Sequence, residues 1–138
     1  MIVALVVACG LGLAAGLRTM TPPAAILLAR HHLLAGLIVG VAAVGEWVVD
    51  LLPTTPARTT PGPLVARVAS GAFVGWLAVG GTTTPMIAGG IVGAAGAMVG
   101  SLVGYRARMA AIDRFGALPA AVVEDLVSIC LAMLAFVR

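Results

Sequence analysis

The chain has 138 residues, of which 62% are hydrophobic and 9% charged, with a formal charge of +3. Eight basic and five acidic side chains cannot cover the polar outer surface that a soluble domain of this size needs, so hydrocarbon must be its main solvent. The basic residues are all Arg, scattered rather than clustered, and aromatics make up 4%, which excludes a nucleic-acid surface built from basic clusters with interleaved aromatic rings.

A spanning helix needs about 20 mostly apolar residues, and five stretches qualify. The first runs from Met1 to Leu17. It contains Val6-Val7-Ala8-Cys9, a faint likeness to a lipoprotein cleavage site, but no basic segment precedes it and the apolar lead is short, so the helix is expected to be retained. Arg18-Thr-Met-Thr-Pro-Pro23 interrupts the apolar run, with Thr21 placed as an N-cap before the two prolines. Pro22 to Arg30 is apolar but too short to span. It reads either as a re-entrant or interfacial piece or, the favoured alternative, as the first turns of a long or kinked helix continuing to Leu52.

The second stretch, Leu33 to Leu52, carries Glu46 and Asp50 four residues apart and therefore on one face. A Pro- and Thr-rich connection from Pro53 to Pro63 leads to the third, Leu64 to Gly80. Thr82-Thr83-Thr84-Pro85 opens the fourth, Pro85 to Gly104. A charged segment from Arg106 to Gly116 leads to the last, Leu118 to Val137, which holds Glu124 and Asp125. In this five-helix arrangement Arg58, Arg67, Arg106, Arg108 and Arg114 share a side with the amino terminus. Arg18, Arg30 and Arg138 fall on the other, and the positive-inside rule then favours a cytoplasmic amino terminus.

The first and fourth helices align on their small residues. Ala8-xxx-Gly12-xxx-Gly16-Leu17-Arg18 matches Gly96-xxx-Gly100-xxx-Gly104-Tyr105-Arg106, and Ala42-Ala43-Val44-Gly45-Glu46 echoes Ala120-Ala121-Val122-Val123-Glu124. With one helix between the pairs, the copies would cross the membrane in opposite directions as an inverted-topology repeat. The expected fold is therefore an all-α integral membrane protein of about five transmembrane helices in a single domain, residues 1–138. Repeat A covers about 1–52, a linking helix about 63–80, and repeat B about 85–138. Glycines at four-residue spacing let helix backbones approach closely. Gly12, Gly16, Gly96, Gly100 and Gly104 are the packing candidates, within one chain or across a homodimer.

Charges within apolar spans must face inward and pair, since an unpaired one at the bilayer centre costs at least about 2.5–3.5 kcal/mol. The candidates for binding a solute or ion are Arg18, Glu46, Asp50, Arg106, Glu124 and Asp125, with the repeat suggesting Arg18 beside Glu46 and Arg106 beside Glu124. Two readings stand equal: structural pairing that fixes helix positions, or a polar path in which a carboxylate exchanges a proton or cation. Glu46 is the foremost single candidate. His31 and His32 are adjacent, hence about 100° apart on a helix and poorly placed to chelate. Neither a nucleophile with its base, nor a phosphate loop, nor a metal-ligand spacing is evident, so no catalysis, cofactor or metal is expected.

At Gly16-Leu-Arg-Thr-Met-Thr-Pro-Pro23, Glu46-xxx-Asp50-xx-Pro53 and Arg67-xxx-Gly71-Ala72 the chain resembles a family of small bacterial membrane proteins catalogued as domain of unknown function 4126. The resemblance covers most of the chain. It implies a small multi-helix protein of the bacterial inner membrane and draws interest to Arg18, Glu46 and Asp50, while carrying no activity with it. The Arg- and Thr-containing connection from Thr54 to Thr60 departs from the family pattern. The leading expectation is a small homodimeric transporter or channel-like protein, built from inverted repeats, that binds a small solute or ion at buried Arg and Glu residues. The alternative is a non-transporting protein that binds lipid or a partner helix through its glycine faces.

Overall fold

A computed structural model describes residues 1–49 and 60–137. The described residues are all helical or connecting, without strands. They form α1 (Ile2–Leu17), α2 (Thr21–Ala29), α3 (Leu33–Val49), α4 (Pro61–Val79), α5 (Thr83–Phe115) and α6 (Ala117–Ala132), the last continued by a short 3-10 turn, Met133–Phe136. Three helical segments, Pro61–Val79, Thr83–Phe115 and Ala117–Phe136, are long and apolar enough to cross a membrane. At 1.5 Å per residue, α1 with 16 residues and the described part of α3 with 17 reach about 24–26 Å, and α2 with nine only about 14 Å.

The surface supports the same solvent. Leu37, Ile38 and Val41 on α3, and Ile87, Ile91, Val99 and Val103 on α5, are all exposed, whereas the core holds small residues and charges. That inversion of the usual pattern marks a membrane protein.

The bundle is built round α1, whose Ala8, Leu11, Ala14 and Ala15 are fully buried. An all-round apolar helix of small residues can be packed on several sides at once, and α4, α5 and α6 all lie against it. Contacts between α1 and α5 rise together in residue number: Gly96 faces Cys9, Gly100 faces Leu13 and Gly104 faces Leu17. The two helices therefore run parallel. By the same reading α4 runs against α5, since Gly71 meets Gly93 while Gly75 meets Gly89. Likewise α6 runs against α1, with Ser128 at Ala14 and Leu134 at Gly10.

This direction overturns the inverted-repeat expectation, which requires α1 and α5 to be antiparallel. The cause is α2. The 22–30 segment is not the start of a long helix to Leu52 but a short separate helix that folds back on α3, with Leu28 against Gly36. The reversal occurs at His31, the only non-glycine residue with positive φ (62°) among those described. Thr21 is the first helical residue rather than the cap, a position taken by Met20 without a side-chain bond. Farther on, α4 ends at Gly80 and Gly81, both with positive φ, and α5 ends at Gly116 (φ 87°), a left-handed stop that glycine adopts without a Cβ penalty.

Candidate functional site

Polar chemistry collects at the end of the bundle where α1 finishes. Arg18 is 1% exposed and pairs with Asp125 of α6. Arg67 of α4, 4% exposed, lies 3.8 Å from the Glu46 carboxylate of α3 and donates to the Gly16 carbonyl at 3.1 Å. Arg108 of α5 pairs with Glu124 of α6 at 2.9 Å. Three guanidinium groups and three carboxylates from five helices thus meet with their formal charges cancelled, the condition under which burial of ions is tolerable.

Hydroxyls and backbone complete the cluster. Ser101 donates to the Ala97 and Gly16 carbonyls at 2.8 and 3.2 Å, and Ser70 to the Thr19 carbonyl at 2.6 Å. Both Glu46 oxygens accept backbone N–H groups of the α1–α2 turn, from Thr19 at 2.8 Å and from Met20 at 2.9 Å. Those donors precede the first turn of α2, so a carboxylate from α3 holds the turn as a capping side chain would. Two buried polar atoms close by in sequence, Thr21 Oγ1 and Trp47 Nε1, have no hydrogen-bond partner among the described residues. An apolar groove of about 150 Å³ ends on the Arg108–Glu124 pair and is otherwise walled by Leu17, Ala107, Ala120 and Val123 among others.

The structure brings together Arg18, Glu46, Glu124 and Asp125 of the sequence candidates but pairs them differently. Asp125, not Glu46, receives Arg18; Arg108, not Arg106, receives Glu124. Arg106 is exposed. Asp50 lies outside the described residues. Arg67 and Arg108 are the partners that sequence reasoning missed, although their spacing carries the signal. Arg67-xxx-Gly71-xxx-Gly75 and Gly96-xxx-Gly100-xxx-Gly104-xxx-Arg108 each extend a small-residue stripe by one further four-residue step, which keeps the Arg on the packed face. Arg106, two residues past Gly104, points about 200° away from that face.

The glycines serve packing inside the chain. A Cβ built on Gly16 would fall 2.6 Å from the Ser101 nitrogen, one on Gly96 2.7 Å from the Cys9 carbonyl oxygen, and one on Gly71 2.5 Å from the Gly93 carbonyl oxygen. Gly12 likewise meets Gly93, and Gly104 meets Leu17. With α1 seated on it, the Gly96, Gly100 and Gly104 face is not open to a partner helix or a second copy. Comparison with protein-family models, with curated proteins and with solved structures gives no match.

Proposed function

We propose that the chain is a multi-pass membrane protein that binds and passes a small ion or polar solute at the Arg18, Arg67, Arg108, Glu46, Glu124 and Asp125 network. The observation that carries this reading is the convergence of six ionisable side chains from five helices in an otherwise apolar bundle. Ionisable groups at membrane depth are expensive and by default mark a path or binding site. Asp125, with 24% of its side chain exposed, is the most accessible of the six, so it is the group at which an ion exchanges with the surroundings. Displacing Asp125 from Arg18 frees a cationic and an anionic site together. The Thr21 hydroxyl and Trp47 indole N–H, without partners among the described residues, offer further polar contacts.

A second reading makes the network a clamp that fixes the helices and passes nothing. It is favoured by Glu46 binding the α1–α2 turn and by Arg67 and Ser101 sharing the Gly16 carbonyl. Flux of protons, alkali cations and halides into liposomes separates the two. Purified chain is expected to conduct at least one of these, and Asp125→Asn to lower that flux about tenfold or more while helix content and elution volume stay constant. Flux that is absent in the parent chain, or unchanged in both Asp125→Asn and Glu46→Gln, assigns the network to the clamp.

The proposed insertion direction differs from the one the alternating five-helix count favours. The extra reversal at α2 moves Arg18 to the same end as Arg67, Arg106, Arg108 and Arg114, opposite Met1, leaving Arg30 at the other end. By the positive-inside rule the Arg-rich end is cytoplasmic and the first residues are external. In a cysteine-free background (Cys9→Ser, Cys130→Ser), a membrane-impermeant maleimide is expected to label Thr82→Cys in intact cells and Asp113→Cys only after lysis. The opposite pattern contradicts the proposed direction.

A further inference from the structure

At the end of the bundle away from the ion pairs, the start of α1, the ends of α2 and α4 and the 3-10 turn leave a cavity of about 590 Å³. Its volume is that of an ordinary ligand site, typically 300–1,000 Å³. Val7, Ile26, Ala78 and Phe136 give it apolar walls, while Arg30 and His31 stand among its lining as the polar groups. The reversal at His31 is what brings these two side chains there, since it turns the chain back between α2 and α3. Arg30 is exposed and directs one N–H to the Leu77 carbonyl, a carbonyl in the last turn of α4. A guanidinium carries five donors in a planar fork, so most of its donor capacity remains for a second acceptor.

We propose that this cavity is a binding site for one anionic phospholipid, an acyl chain lying along the apolar walls and the phosphate held by Arg30 and His31. Water is a poor occupant of apolar walls, whereas an acyl chain is the solvent that surrounds the bundle. The Arg30 guanidinium, with His31 beside it in the lining, complements a headgroup of net negative charge better than one whose phosphate is offset by choline, as basic pockets between membrane helices do. The site is separate from the ion-pair network and does not depend on whether that network transports anything.

The test is native mass spectrometry and thermal unfolding of the full chain in detergent, with dioleoyl phosphatidylglycerol, dioleoyl phosphatidylcholine or oleate added. Phosphatidylglycerol is expected to be retained one per chain and to raise the unfolding temperature, with at least fivefold preference over phosphatidylcholine. Arg30→Gln is expected to abolish that preference and Arg30→Lys to keep it. Should Arg30→Gln fail to fold, His31→Asn, which suits the left-handed backbone, reports the same loss in part. Equal retention of the two phospholipids, an unaltered preference in both Arg30→Gln and His31→Asn, or stabilisation by oleate but not by phosphatidylglycerol, would each overturn the proposal.

Discussion

Replacing Arg18 by Met is expected to destabilise the fold by roughly 3–5 kcal/mol, the cost of breaking a buried ion pair from one side. Arg18 is almost wholly enclosed, so Met, of similar length and free of charge, fills much of its volume and leaves the electrostatic change dominant. The Asp125 carboxylate then loses its counter-charge in surroundings that solvate it poorly. Its 24% exposure lets lipid headgroups or water recover part of the loss, which places the effect toward the lower end of that range. Thermal unfolding in detergent micelles measures it. A change under about 1 kcal/mol would mean that Arg18 is solvated as an ordinary interfacial side chain.

Gly93→Leu is expected to be at least as damaging, by about 3 kcal/mol or more, and to break the contacts among α1, α4 and α5. Gly93 is where the three helices cross. Its carbonyl is what an added Cβ on either Gly12 or Gly71 would strike, and a Cβ on Gly93 itself would strike the Gly71 carbonyl. Overpacking ordinarily costs about 1–3 kcal/mol because neighbouring side chains shift, but here the obstruction is backbone and the helices themselves must separate. Gly40→Leu provides the control, because nothing among the described residues lies within 4 Å of a Cβ at Gly40. Helix propensity alone then favours Leu by somewhat under about 1 kcal/mol. Comparable losses at the two positions, read from unfolding in the same detergent, would show that the close helix crossing at Gly93 is wrong.

Much of this fold is legible in the residues themselves. The punctuation at Pro61–Pro63 and Gly80–Gly81 places the start of α4 and its junction with α5 within a few residues, because Pro and left-handed glycine act locally. By contrast, α5 does not stop at Gly104 as expected but runs on through the charged segment to Phe115, where Gly116 ends it. Helix direction is harder to read. It depends on whether Ala29-Arg30-His31-His32 continues a helix or reverses it, and His, although enriched among the few non-glycine residues at positive φ, is too weak a mark to announce the left-handed conformation that His31 adopts. A single turn of this kind inverts α1 relative to α3 and every later helix, so the repeat and the insertion direction both hinge on it.

The candidate site is legible in its carboxylates and Arg18 but not in its pairing. Matching Arg106 to Arg18 by their position after a glycine treats the helix as a string, whereas its 100° rotation per residue puts Arg108 on the packed face. Asp125 is recognisable as a charge in an apolar span, and nothing local to α6 identifies which Arg from another helix will reach it.

The most direct measurement of the central claim, that ionised side chains from separate helices are buried against one another at one end of the bundle, is a double-mutant cycle on Arg18 and Asp125. Arg18→Met and Asp125→Leu should each destabilise, while the double variant should recover at least about 2 kcal/mol relative to their sum, because no lone charge is left behind. Strictly additive losses would show that the two side chains do not share a buried pair.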